Sequence, residues 1–204
     1  MAYITTAELK SFLDITSSAD DALLGIIIAS AQEAIDNYTL RTFEPSGAQG
    51  GHHPHKFTPL PRRLGGDVDD ENPRLLWLQD MDLSEIQSVV NGDGVTILST
   101  EYITNPINHT PWYAIELKRG SSKVWTYTGN SPEGTIVITG KWCYALEAPA
   151  DIKMAMYKLC KAWYNGRADS TGDRDILTTD GVVLVQSRIP SDVTAILSKY
   201  KRYS

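Results

Sequence analysis

The chain has 204 residues, of which 42% are hydrophobic and 22% charged, and its net charge is −6. That length suits one large domain, or one domain with an insertion, and burial of about 70% of the unfolded surface needs no disulfide or metal. The acidic balance argues against a free-standing duplex-DNA binder, whose affinity comes from phosphate contacts, and no apolar run approaches the ~20 residues that span a bilayer.

The opening "MAYITTAELK" lacks the basic-then-apolar order of a secretion signal, so the expectation is synthesis and folding in a cytoplasm. "TTAELKSFLDI" predicts a short helix, with Thr5 and Glu8 at capping-box spacing. "SSADDALLGIIIASAQEAIDNYTLRTF" predicts a long helix capped by Ser18, with Asp20 and Asp21 at the positive end of its dipole. Leu23, Ile27, Ala31, Ala34 and Tyr38 set its buried stripe, widened by Leu24, Ile26 and Ile35. Residues 44 to 74 are rich in Gly, Pro and charge, carry no period, and read as a long loop.

From Leu75 to Tyr144 the period becomes two. "RLLWLQ", "IQSVVNGDGVTIL", "WYAIELKRG", "SKVWTYTG" and "GTIVITGKWCY" predict strands of one inserted antiparallel sheet, with turns at Asn91-Gly92 and Gly120. Alternation puts Trp125 and Tyr127 on one face and Val124, Thr126 and Thr128 on the other. "APADIKMAMYKLCKAWYNG" predicts a third helix, entered through Pro149, with Ile152, Met156, Leu159 and Trp163 on its stripe and Gly166 as C-cap. "GVVLVQSRI" reads as extended, and Pro190 opens a last short helix, "SDVTAILSKY". Cys143 and Cys160 lie in apolar company without CxxC spacing and read as reduced, buried thiols.

The class is therefore α+β. A small helical bundle, two N-terminal helices plus the helix near 149–166, carries an inserted antiparallel sheet and an extended C-terminal arm. The expected divisions are a helical core at 1–43 and 145–167, a loop at 44–74, a sheet at 75–144 and an arm at 168–204.

Three of the four histidines, His52, His53 and His55, crowd into "GGHHPHKF". Side chains at 52 and 53 diverge and Pro54 breaks the run, so a three- or four-ligand zinc site is not expected, and the motif reads as a solvated loop. "DVDDEN" lacks the order and central glycine of an EF-hand and reads as a solvated acidic turn. There is no phosphate-binding GxxxxGK[ST], HExxH or GxSxG pattern. Tyr102, Trp112, Tyr113, Trp125 and Tyr127 could form a sugar or base platform, but aromatics in a small sheet more often serve core or interface. No catalytic residue, metal ligand or cofactor site emerges, and the chain is not expected to be an enzyme.

Two stretches, "ITTAELKSFLDI...DDALLGIIIASAQEAIDNYTLRTF" and "GTIVITGKWCYALEAPADIKMAMYKLCKAWYNGRAD", together resemble the head-tail connector, or adaptor, proteins of tailed bacteriophages. Tyr38, Arg41 and Phe43 match a "Y.GR.F" helix ending, with Leu40 where glycine is frequent. Ile138, Gly140, Trp142, Tyr144, Pro149, Asp151 and Ala155 match "V.G.WGY...P.D...A", with Cys143 where glycine is usual. "IPSDVTAILSKYKRYS" looks like a family tail, anchored by Val193, Leu197 and Tyr200.

The resemblance implies a structural virion protein in the neck between portal and tail, assembled in the host bacterial cytoplasm. It implies a ring, commonly of twelve copies, under the portal. That ring would extend a channel for double-stranded DNA, without sequence-specific binding, and offer a platform to a stopper or tail protein. It further implies that the tail docks on the portal, and the tail's own residues suggest how: Ile196, Leu197, Tyr200 and Tyr203 would enter grooves while Lys199, Lys201 and Arg202 meet acidic groups. The alternatives are another neck component, such as a stopper or tail-completion protein, a ligand-binding β module, or a metal enzyme using the histidines.

Overall fold

The computed structural model describes residues 2–45, 51–79, 81–166, 175–177, 183–185 and 189–202. They divide into two compact units, a helical one from Ala2–Leu40 and Ala148–Tyr203, and a sheet one from Arg41–Glu147.

In the helical unit, α1 (Thr6–Leu13) opens with the expected capping box. Glu8 N donates to Thr5 Oγ1 at 3.2 Å and Thr5 N donates to Glu8 Oε2 at 2.6 Å, so two first-turn amides are satisfied. The long helix α2 runs Asp21–Thr39 with Asp20 at the N-cap, two residues after the expected Ser18. Residues 18–20 form a turn instead, in which Ser18 O accepts from Asp21 N at 3.2 Å. The buried stripe is Leu24, Ile27, Ile28, Ala31, Ile35 and Thr39. Leu23 and Ile26, expected inside, are exposed. Apolar residues fill both 22–24 and 26–29, so two stripes one position apart satisfy the same period, and packing chooses between them.

After the sheet unit, α3 (Ala150–Gly166) buries Ile152, Ala155, Met156, Leu159 and Cys160, while Trp163 is only half-buried. It packs on α1, on α2 and on the last helix, α4 (Ser191–Leu197), whose Val193 and Leu197 are fully buried. Tyr3 donates to Asp36 Oδ1 at 2.5 Å, and burial pushes the Asp36 carboxyl up to about 6 despite that bond. Burial likewise pushes the Cys160 thiol up to about 12, and both cysteines are buried free thiols.

The sheet unit holds β1 (His53–Phe57), β2 (Leu75–Trp77), β3 (Glu85–Val90), β4 (Thr96–Ile97), β5 (Tyr102–Asn105), β6 (Ala114–Leu117) and β7 (Ile136–Lys141). They form two antiparallel sheets, ordered β1-β7-β3-β4 and β2-β6-β5, where one was expected. Phe57, Leu76, Leu83, Ile115, Ile136 and Ile138 are among the fully buried side chains of their shared core. In the arm, Asp175–Leu177 (β8) pairs antiparallel with Val183–Val185 (β9).

Two expectations fail here for physical reasons. The segment 44–74 is not simply a loop, because β1 lies within it as an edge strand. An edge needs only one row of ladder bonds, which tolerates Pro54, and Phe57 anchors its end in the core. Conversely, "SKVWTYTG" forms no strand. It is pinned by Asn91, whose Nδ2 donates to Val124 O at 2.9 Å and whose Oδ1 accepts from Thr126 N at 3.2 Å. Trp125 turns into the core and Tyr127 stays exposed, so the two do not share a face as alternation required.

Two substitutions test this packing. At Gly140 an added Cβ lies 2.2 Å from Glu85 O and 2.7 Å from Leu83 Cδ1. Gly140→Ala is expected to destabilise the sheet unit by about 1–3 kcal/mol in urea unfolding, since backbone must move; an unchanged midpoint contradicts this close approach. Leu40, the C-cap of α2, sits at φ 55, ψ 35, a left-handed conformation that disfavours a Cβ. Leu40→Gly is expected to raise stability by about 0.5–1 kcal/mol, net of glycine's unfolded-state entropy, and a loss would show that the leucine side chain holds the turn.

Candidate assembly surfaces

The residues behind the resemblance gather in two places. The first is in the sheet unit. Tyr144 N donates to Thr42 O at 2.7 Å, which lays the outgoing and returning chain side by side. Phe43 is fully buried with its ring 5.5 Å from that of Tyr144. Arg41 Nη1 lies 2.7 Å from both carboxylate oxygens of Asp82, and its guanidinium sits 5.3 Å from the Tyr144 ring centroid. Ser84 Oγ donates to Cys143 O at 2.6 Å, and Trp142 Nε1 donates to His53 O at 2.8 Å. Nothing in the sequence announced Asp82, because it pairs with Arg41 across 41 residues.

The second place is in the helical unit, where Tyr38, Pro149 and Asp151 meet the tail. Pro149 O accepts from the first amides of α3, at 2.9 Å from Ile152 N and 3.0 Å from Lys153 N. Lys201 Nζ lies 5.3 Å from the Tyr38 ring, Lys199 Nζ lies 3.7 Å from Asp151 Oδ2, and Arg202 N donates to Thr39 O at 2.9 Å.

These contacts change the expected role of the tail. Leu197 is a core residue of its own unit and cannot enter a partner's groove without leaving a cavity. Ile196 and Tyr200 are half-buried, so their accessible edges alone face outward. Lys199 and Lys201 are exposed, and their contacts are of the weak, solvent-screened kind. Tyr203 lies outside the described residues.

The histidines do not converge. His52 Nε2 lies 2.8 Å from Glu85 Oε1, while His55 packs its ring 4.3 Å from that of Trp142. Burial, then the neighbouring His53, pushes His55 below its usual pKa. Lys141 and His52, in that order, hold Glu85 below the usual carboxylate range. Among the described residues no group of three or more His, Cys, Asp or Glu is placed to hold a metal. The motif thus runs into edge strand β1, with His52 and His55 on different partners, rather than forming a solvated loop.

The acidic run is also more ordered than a solvated turn. Asp67 is buried, accepting from Thr58 N at 2.7 Å and Gln79 Nε2 at 2.9 Å. Asp69 accepts from Trp77 Nε1 at 2.9 Å and Asn72 N at 2.8 Å, which pushes its pKa down. Trp77 and Tyr113 stack at 5.5 Å, with the Arg62 guanidinium 5.6 Å from the Trp77 ring. Asp69 and Arg62 thus flank Trp77.

Residues 3–62 match the family described as phage gp6-like head-tail connector protein. That N-terminal segment is similar to the head-tail connector family. The connector match takes in α1, α2, the Arg41–Phe43 ending and β1, while the Gly140–Asp151 motif lies beyond it. Among solved structures, a chain of the "neck of empty GTA particle computed with C6 symmetry" superposes with a TM-score of 0.57 at 14% identity, covering 99% of this chain and 91% of that chain. At that identity the likeness is one of fold. No curated protein matches the chain.

Proposed function

We propose that this connector is a structural protein of the neck of a tailed-phage-like particle, acting as the adaptor ring beneath the portal. One observation carries the reading: the likeness to the fold of a particle-neck protein runs through 99% of the chain, and so takes in both units. The connector segment at residues 3–62 supports it independently. No described helix is long and apolar enough to cross a membrane. The partners of this reading are further copies of the chain, the portal, a stopper or tail protein, and double-stranded DNA passing through the lumen. A twelve-copy ring is compatible with a six-fold axis such as that of the similar neck structure. The net charge of −6 suits a wall that does not retain DNA.

On the portal side the geometry favours a reduced contact set. Lys199 and Lys201 offer charge, Ile196 and Tyr200 offer edges, and Leu197 stays in the core. Each contact is weak, and a ring multiplies it. The role asks for no chemistry.

The chain mixed with its portal ring is expected to add one layer in electron-microscopic averages, with the C-termini against the portal. Lys199→Glu with Lys201→Glu is expected to weaken that layer at least about tenfold while the thermal midpoint stays within about 2 °C. No layer from the folded wild-type chain contradicts the adaptor reading and favours a stopper. A layer unchanged in the double variant contradicts the role given to the tail.

A further inference from the structure

Two exposed apolar patches, one on each unit, carry unlike charge at their borders. The first is the outer face of α2. Ile26 is 64% exposed and Leu23 36%, beside exposed Ala22 and Ala29, and Glu33 continues the same face. Gly25 lies within it, and a Cβ there would meet nothing within 4 Å. The connector's own packing therefore gives no reason for glycine in mid-helix, where it weakens the helix. A second chain approaching closely would give one.

The second patch is a tip of the sheet unit. Val124 is 58% exposed, Val95 42% and Tyr127 38%. Asn91 binds the pieces together: its amide N donates to Val95 O at 2.8 Å, its side chain holds Val124 and Thr126, and Gly92 bridges Tyr127. Lys118, Arg119 and Lys123 come next on the adjoining turn. Arg74 fastens that turn by donating to Lys118 O at 2.7 Å and Ser121 O at 3.4 Å. Two carboxylates also lie near, but Asp93 accepts from Val95 N and Glu101 from Leu98 N, both at 2.9 Å, each within its own turn. Arg119 and Lys123 make no ion pair among the described residues, and neither does Glu33.

We infer that the outer face of α2 in one copy docks on the Val95–Val124–Tyr127 tip of a second copy, with Glu33 facing Arg119 and Lys123. The inference rests on the ring reading. Rings close through heterologous contacts, in which two different patches of one chain meet the complementary patches of its neighbours. Apolar area at both centres drives the contact, and opposite charge at the borders fixes its register. Gly25 lets the neighbouring backbone come close to the helix.

The test uses the full-length connector with its portal, counting copies per portal by native mass spectrometry and checking each variant's fold by thermal melting. Ile26→Glu and Val124→Glu, both at exposed positions, are each expected to cut ring occupancy at least about tenfold with unchanged melting. Glu33→Lys alone and Arg119→Glu with Lys123→Glu are each expected to weaken assembly, and their combination to restore it. Full rings from both apolar variants overturn the inference and leave the adaptor reading intact. Loss without restoration by the charge swap also overturns it, because the two faces then do not meet each other. Rings that form normally but no longer hold a stopper would assign the patches to that partner instead, again against the inference. If the wild-type chain forms no ring on the portal, the adaptor reading and the inference fall together.

Discussion

The sheet unit is an insertion, so its two ends must stay side by side for the helical unit to remain one body. The chain leaves α2 at Leu40 and returns to α3 at Ala148, and between these points it builds a separate core. The Thr42–Tyr144 backbone bond and the Phe43–Tyr144 ring contact lay those ends side by side, and the Arg41–Asp82 pair ties the outgoing end to the segment before β3. Asp82 is nearly buried and Arg41 largely so, and their pairing offsets part of the cost of taking both charges out of water. Burial of Phe43 adds about 1.5–3 kcal/mol of apolar stabilisation as an upper estimate. The motif residues at these two points are fold determinants whose spacing serves one joint.

The tail depends on a similar device within the helical unit. Val193 and Leu197 give α4 its place on the core, and contacts after that helix include the Lys199–Asp151 ion pair, the Lys201–Tyr38 ring contact and the Arg202–Thr39 backbone bond. Burial falls along the tail, from fully buried Val193 and Leu197 to exposed Lys199 and Lys201. A segment graded in this way can exchange its outer contacts for a partner's without unfolding its helix. Under the proposed adaptor reading, that would let the tail fold with its own unit and bind a neighbour afterwards, with Leu197 in the core and Lys199 and Lys201 accessible.

Much of this was legible in the sequence where one physical signal dominates. The Thr5–Glu8 box, the entry at Pro149, the period-two runs at β3 and β7, and the motif endings all announce themselves locally. The failures come from signals with two equal solutions or none. The α2 stripe admitted two phases. Strand β1 was hidden by Pro54 and three histidines, which only an edge position reconciles with a ladder. "SKVWTYTG" has strand composition, yet the Asn91 amide claims its backbone. Strand β5 was missed because "YITN" is short and ends at a proline. The Arg41–Asp82 and Lys199–Asp151 pairs bridge long sequence separations, which a single chain does not encode in any readable spacing. The histidine cluster drew attention by composition, while its side chains are shared out between Glu85 and Trp142.

The joint at the insertion carries the whole account, and a double-mutant cycle on Arg41→Ala and Asp82→Ala measures it most directly. Unfolding of the full-length chain in urea, followed through the sheet unit's tryptophans, is expected to give a coupling of about 1–3 kcal/mol, with each single variant strongly destabilised. Additive effects within about 0.5 kcal/mol would contradict the account, because the outgoing end of the insertion would then not be fastened to the sheet by this pair.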